Sequence, residues 1–262
     1  MIKRGSWEDL KERMITGAVL VAVGVVAIWI GGFVFHALVA LLVGVMTWEL
    51  VRMVDQGRGV SAFWLGTFCG VTLFVAGYLP LGFALPLCLA PALLGFGQLE
   101  QNRTEYMIFT TVMTLAGFGM TRLHDDLGYL WMFWMIGVVV VTDVLGYFAG
   151  RYIGGPKFWP KVSPKKTWSG TVAGWIGAAG VGLLAVLLWG ADWQILGISV
   201  AVSIAGQMGD IAESRLKRKM GVKDSSSLLP GHGGVMDRFD AMLGASLMIL
   251  FVGALISTPT GF

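Results

Sequence analysis

SRLKRKMGVKDSSSLLPGHGGVMDRFD, residues 214–240, interrupts two apolar runs, 195–213 before it and 235–257 overlapping its end. A run of about 20 apolar residues crosses a hydrocarbon core as a helix, because only a helix pairs all its own backbone groups in lipid. The quoted stretch is therefore a polar connection between two membrane helices. It holds six basic residues (Arg215, Lys217, Arg218, Lys219, Lys223, Arg238), His232 and the carboxylates Asp224, Asp237 and Asp240, around the turn Pro230-Gly231-His232-Gly233-Gly234. Bases donate to phosphate oxygens, and carboxylates hold the divalent ions that bridge them. Gly233 and Gly234 lack side chains that would keep backbone N–H groups away from an anion. A basic flank alone reads equally well as a topogenic signal. That reading fails for Asp237 and Asp240, which stand at the head of an apolar run where ionised groups are costly.

Working outward, the same pattern recurs along the chain. With 56% hydrophobic and 13% charged residues, the composition is that of an integral membrane protein, not a soluble domain with about 25% charge. Apolar runs fall at 14–30, 33–53, 61–78, 81–97, 107–123, 129–149, 171–189, 195–213 and 235–257, which predicts nine transmembrane helices in an all-α chain. Residues 1–13 predict a short interfacial helix with Trp7, Leu10 and Met14 on one side. The first apolar run is too long for a cleaved leader and reads as an uncleaved helix. With the N-terminus cytoplasmic, seventeen of the nineteen Lys and Arg residues lie inside, only Arg122 lies outside, and Arg238 marks the inner end of the last span. Nine spans leave the C-terminus outside. The net charge of +3 thus reports topology and carries no argument for nucleic acid.

No linker or repeat divides residues 1–262, so one polytopic domain is expected, with spans 1–5 in 1–128 and a catalytic region in 129–262 that carries cytoplasmic loops 151–170 and 214–234. Cys69 and Cys88 sit inside apolar runs and read as packing residues. Pro86 and Pro91 predict a kink in the fourth span. Gly174, Gly177, Gly180 and Gly182 read as close helix contacts in the seventh. The loop RYIGGPKFWPKVSPKKTWSG, 151–170, is basic and follows Asp143, a carboxylate within an apolar run that needs a partner. In the eighth span Asp210, Glu213 and Ser214 share one helical face by their spacings of three and four.

The 214–240 stretch resembles the signature of the phosphatidate cytidylyltransferase (CDP-diacylglycerol synthase) family. The match is carried by Ser214, Leu216, Lys217-Arg218, Lys223-Asp224, Ser226, Leu229-Pro230, His232-Gly233-Gly234 and Asp237-Arg238-Phe239-Asp240. Asp143, Gly150-Arg151 and Ser163-Pro164-Lys165-Lys166-Thr167 are similar to a second family element, although Ser169 stands where relatives carry Glu or Gln. The resemblance implies transfer of CMP from CTP to phosphatidate, with pyrophosphate released. It implies Asp210 and Asp237 as the preferred metal ligands, with Asp240 and Glu213 as further candidates, and Lys223 and Asp224 as catalytic residues. Mg²⁺ is the expected ion, with room for a second cation. Candidate substrate-binding residues are Asp143, Ser163, Lys165, Lys166, Thr167, Ser214, Lys217, Arg218, His232, Gly233, Gly234 and Arg238. Arg215 and Lys219 read as lipid-facing anchors.

The expected partners are CTP, phosphatidate and bilayer lipid, with a homodimer left open and nucleic acid excluded. The expected location is the cell inner (cytoplasmic) membrane, multi-pass, with the active site facing the cytoplasm. Two other classes stay open. A transporter would place acids along a path across the membrane, whereas here they gather at one end. A CTP-dependent lipid or polyprenol kinase would use the same nucleotide and metal but transfer the γ-phosphate.

Overall fold

The structure, a computed structural model, describes residues 5–56, 59–160 and 162–256. Lys3, Arg4, Arg58 and Lys161, four of the basic residues that set the predicted topology, lie outside the described residues. Those described form nine α-helices and one two-stranded hairpin: α1 (Gly5–Ile30), α2 (Gly32–Val54), α3 (Gly59–Ala76), α4 (Leu81–Gln98), α5 (Arg103–Leu127), α6 (Tyr129–Tyr152), β1 (Lys157–Trp159), β2 (Ser163–Thr167), α7 (Trp168–Trp189), α8 (Gln194–Lys219) and α9 (Met236–Ile256). Five helices, α2, α4, α6, α7 and α8, are long and apolar enough to cross a membrane, and Met14–Ile30 and Ser61–Ala76 form shorter apolar helical segments. The chain is a multi-pass membrane protein.

Three departures from the predicted elements have local causes. The segment expected to form a separate interfacial helix is continuous with the first span in α1, and the side chains of Trp7 and Leu10 lie outside the described residues. The eighth helix runs on to Lys219, so Ser214, Lys217 and Arg218 are helical and not part of a loop. Leu, Arg and Lys are good helix formers, and the left-handed Gly221 (φ 72°) follows just beyond the helix. The 151–170 segment folds into an antiparallel hairpin with Lys157 opposite Thr167 and Trp159 opposite Ser163, so the chain is not purely helical. Phe158 packs edge-on to Trp168 at 4.7 Å, and Trp168 N–H donates to the Pro156 carbonyl, closing the hairpin onto α7.

The chain divides into two compact units. The first comprises Met1–Thr121 and Lys219–Phe239, the second Arg122–Arg218 and Asp240–Phe262. In the first, α2 and α3 cross at Gly44, Gly66 and Gly70, where an added Cβ at Gly44 would meet the Gly66 carbonyl at 2.9 Å. The Tyr106 hydroxyl donates to the Pro91 carbonyl at 3.0 Å and Thr114 to the Cys88 carbonyl at 2.8 Å, tying α5 to α4. The end of α2 is fastened by Glu100 N–H donating to Asp55 and Asn102 donating to the Val54 carbonyl. In the second unit, polar pairs join the helices: Trp134 to Ser199 and Thr142 to Ser203, both buried, and the half-buried Trp175 to Gln207. Thr167 caps α7 by accepting from Gly170 N–H, and Gly190 in the left-handed region (φ 68°) ends it.

Candidate functional site

In the first unit, the connection from Lys219 to Phe239 is built around two carboxylates. Glu49, on α2 and fully buried, accepts four hydrogen bonds. They come from the Ser226 hydroxyl at 2.6 Å, the Ser225 hydroxyl at 3.3 Å, Val235 N–H at 2.9 Å and Met236 N–H at 2.8 Å. The last two belong to the start of α9, whose first N–H groups have no partner within the helix. Asp237 Oδ2 accepts three more, from Ser225 N–H at 2.9 Å, the Ser225 hydroxyl at 3.0 Å and Gly234 N–H at 2.8 Å. A buried carboxylate that would otherwise be costly is thus satisfied by the loop it organises.

The glycine turn serves the same construction. Leu229 N–H donates to the Gly233 carbonyl, His232 N–H donates to the Leu229 carbonyl, and Gly233 adopts φ 85°. Arg238 grips the turn with two hydrogen bonds from its guanidinium to the His232 carbonyl, at 3.0 and 2.7 Å. A Cβ on Gly234 would lie 2.6 Å from Glu49 Oε1, so glycine here permits approach to a protein carboxylate. Its N–H is occupied by Asp237, and the anion this nest holds is the protein's own. Lys223 and Asp224 are exposed on the loop, and the His232 ring sits 3.4 Å from the Pro230 carbonyl.

The second unit assembles a different cluster. Glycines bring α8 and α9 together, since an added Cβ on Gly206 would meet the Ala241 carbonyl at 3.2 Å and one on Gly209 would collide with the Asp240 carbonyl. Asp210 of α8 and Asp240 of α9 are consequently held within electrostatic reach of each other. Lys166 of β2 forms an ion pair with Asp210, which also accepts from the Ser214 hydroxyl at 3.3 Å. Asp143 of α6 lies within electrostatic reach of both Lys166 and Asp210. Lys217 donates to the buried Glu213 at 2.9 Å and also acts on Asp240. Glu213 is therefore the partner of a lysine here. Among the described residues, no three His, Cys, Asp or Glu side chains form a cage for a metal ion.

The sequence-predicted residues thus fall into two sets. Asp143, Lys166, Asp210, Ser214 and Asp240 come together in the second unit, and Asp237, Gly234 and Arg238 organise the loop in the first. Thr167 is the α7 cap, and Ser163 pairs within the hairpin while Lys165 is exposed on it. Lys219, expected as a lipid anchor, instead pairs with Glu105, and this hydrogen bond holds the Glu105 carboxyl below its usual range. The residue missing from the sequence reading is Glu49. Its signal was present in MTWELVRMV, an acid inside an apolar run, which the rule applied to Asp143 also covers.

A multi-helix membrane protein with carboxylates and a lysine clustered in one unit, and a pinned basic loop in the other, belongs to the class that handles phosphate-bearing substrates. Residues 11–256 match the cytidylyltransferase family, and the chain belongs to it. It is 34% identical over 263 residues to the phosphatidate cytidylyltransferase of Brucella abortus biovar 1 (strain 9-941), covering 96% of each chain. It is 30% identical over 275 residues to that of Bacillus subtilis (strain 168), covering 95% of this chain and 99% of the relative. It is also 30% identical over 242 residues to that of Helicobacter pylori (strain J99), covering 91% and 90%.

Proposed function

We propose that the protein transfers CMP from CTP to phosphatidate, forming CDP-diacylglycerol and pyrophosphate. The observation that carries this reading is the Lys166–Asp210 ion pair at the place where glycines bring Asp210 of α8 close to Asp240 of α9, in a chain of the cytidylyltransferase family. A phosphatidate oxygen attacks the α-phosphorus of CTP, a P–O bond forms there, and the bond to the β-phosphate oxygen breaks with its electrons leaving on pyrophosphate. A phosphomonoester has a second pKa of about 6, so the nucleophile is largely ionised near neutral pH and needs no strong base. The protein's work is then positioning and charge neutralisation. Lys166, Lys217 and Arg218 supply cations for phosphate oxygens, and Ser214 orients Asp210.

The acid pair fits Mg²⁺. Two carboxylates side by side repel unless a cation or a proton lies between them. Mg²⁺ takes one or two carboxylates plus substrate phosphates and keeps several waters, so no three-acid cage is required. Asp210 and Asp240 would hold it, where it would supply charge neutralisation for the departing pyrophosphate.

The proposed topology is nine spans in the bacterial inner membrane, with the N-terminus and the chemistry on the cytoplasmic side. It is supported by the seventeen of nineteen basic residues on one side. A single cysteine replacing Asp125 should react with an impermeant reagent on intact cells and one replacing exposed Ser227 should not; equal reaction at both overturns the orientation.

The activity is tested with purified protein, phosphatidate, Mg²⁺ and CTP labelled separately in the cytosine and the γ-phosphate. Cytosine label entering the lipid is the expected result. The γ label entering instead would establish a kinase, and neither entering would exclude both.

A further inference from the structure

The first unit holds an apolar groove of about 650 Å³ between α2 and α3, with Leu41, Val45, Thr67 and Val71 among its walls. It extends along α2 from Ala37 to Trp48. At 1.5 Å per residue that is about 16 Å, close to half of a hydrocarbon core about 30 Å thick. Its length is that of one leaflet.

The groove ends at a second cavity of about 500 Å³, and Trp48 and Leu228 line both. This cavity is polar where the groove is not. Arg52 lies over the Trp48 ring at 4.7 Å, and Gln56 and Ser227 also face the space. The Ser225 and Ser226 hydroxyls on its wall donate to Glu49, so they have no proton to offer a ligand. Among the described residues, the side-chain donors that remain include the Arg52 guanidinium, the Gln56 amide and the Ser227 hydroxyl. That set fits a single phosphate-bearing headgroup.

An apolar slot one leaflet long that opens into a cationic pocket is the negative image of an amphiphile. We propose that the groove takes one acyl chain of the phosphatidate substrate, with Arg52 receiving its phosphate in the adjoining cavity. This rests on the cytidylyltransferase reading and adds to it a site for the lipid, built from α2, α3 and the 222–228 segment.

The test compares dioleoyl with dihexanoyl phosphatidate on the purified full chain. Thr67 and Leu41 are exposed on the groove wall, so Thr67→Trp and Leu41→Trp fill it without disturbing the helix crossing. Each should raise KM for the dioleoyl substrate about tenfold by excluding a few methylenes, and leave KM for the dihexanoyl substrate within about twofold. Arg52→Gln should raise KM for both lipids and leave KM for CTP unchanged. Normal turnover of the dihexanoyl substrate verifies that each variant is folded.

A photoreactive group at the end of an acyl chain should label α2 and α3, and phosphatidate should compete while phosphatidylcholine does not. Unchanged dioleoyl kinetics in the filled variants, or equal competition by phosphatidylcholine as for any bilayer lipid, would overturn the site. Should wild-type protein incorporate no cytidine into either lipid, the functional reading fails, and the competition experiment still decides whether the groove selects phosphatidate.

Discussion

The two units treat their carboxylates in opposite ways. In the first, Glu49 and Asp237 together accept from six donor groups of the 225–236 segment, with the Ser225 hydroxyl shared between them. In the second, Asp210 and Asp240 are set against each other, with Asp143 within reach, and the compensating charges come from the ammonium groups of Lys166 and Lys217. The first arrangement is complete without a ligand and holds a loop in one shape. The second leaves negative charge that a lysine side chain can release, which is what a site for a cation and a polyphosphate needs. An acid in an apolar helix is thus a sign of cost, and its partners decide whether that cost is met by structure or reserved for chemistry.

Substitution of the acids is the strongest way to break this contrast. Asp210→Asn and Asp240→Asn should each lower turnover by about a thousandfold or more, as loss of transition-state charge stabilisation does. Melting in metal-free detergent should stay equal to wild type or rise, because mutual repulsion is relieved. Glu49→Gln should instead lose stability and activity together. Its amide nitrogen cannot accept, and leaving buried N–H and hydroxyl groups short of a charged acceptor costs about 2–4 kcal/mol. A Glu49→Gln protein as stable as wild type, or an Asp210→Asn protein that melts well below it, would remove the distinction. Asp237→Asn sharpens it: a stable, inactive protein would place Asp237 with the chemical acids, and a destabilised one would place it with Glu49.

Much of this is legible in the sequence. The helices follow from apolar runs near 20 residues, five of them long and apolar enough to cross a membrane, and Asp210 with Ser214 follows from helical spacing. The adjacency of Asp210 and Asp240 is not legible, because it depends on α8 and α9 approaching at Gly206, Gly209 and Gly244, a long-range contact that no local pattern specifies. Glu49 obeyed a rule already in use but lies 176 residues from Ser225, so nothing in its own segment names its partner. The glycine turn read as a phosphate nest has the geometry of one, yet its neighbouring N–H groups end on Asp237 and Glu49. Sequence reveals that an anion belongs there without revealing whose it is.

The smallest effect concerns Lys165 and Lys166, which the sequence presents as a pair. β2 pairs irregularly with β1 between Ser163 and Thr167, so each lysine is placed by its own contacts and not by strand alternation. Lys166 reaches Asp210, while Lys165 is exposed on the hairpin. When CTP arrives, the Lys166 ammonium can exchange a carboxylate for a phosphate oxygen without leaving the cluster. Lys166→Gln should therefore raise the apparent KM for CTP about tenfold, the loss of one charged hydrogen bond. Lys165→Gln should change it less than about threefold, and the double variant should resemble Lys166→Gln alone. Equal effects from the two single variants would mean that the Lys166–Asp210 contact does not set CTP binding, and normal kinetics in a poorly inserted double variant would return both lysines to a topogenic role.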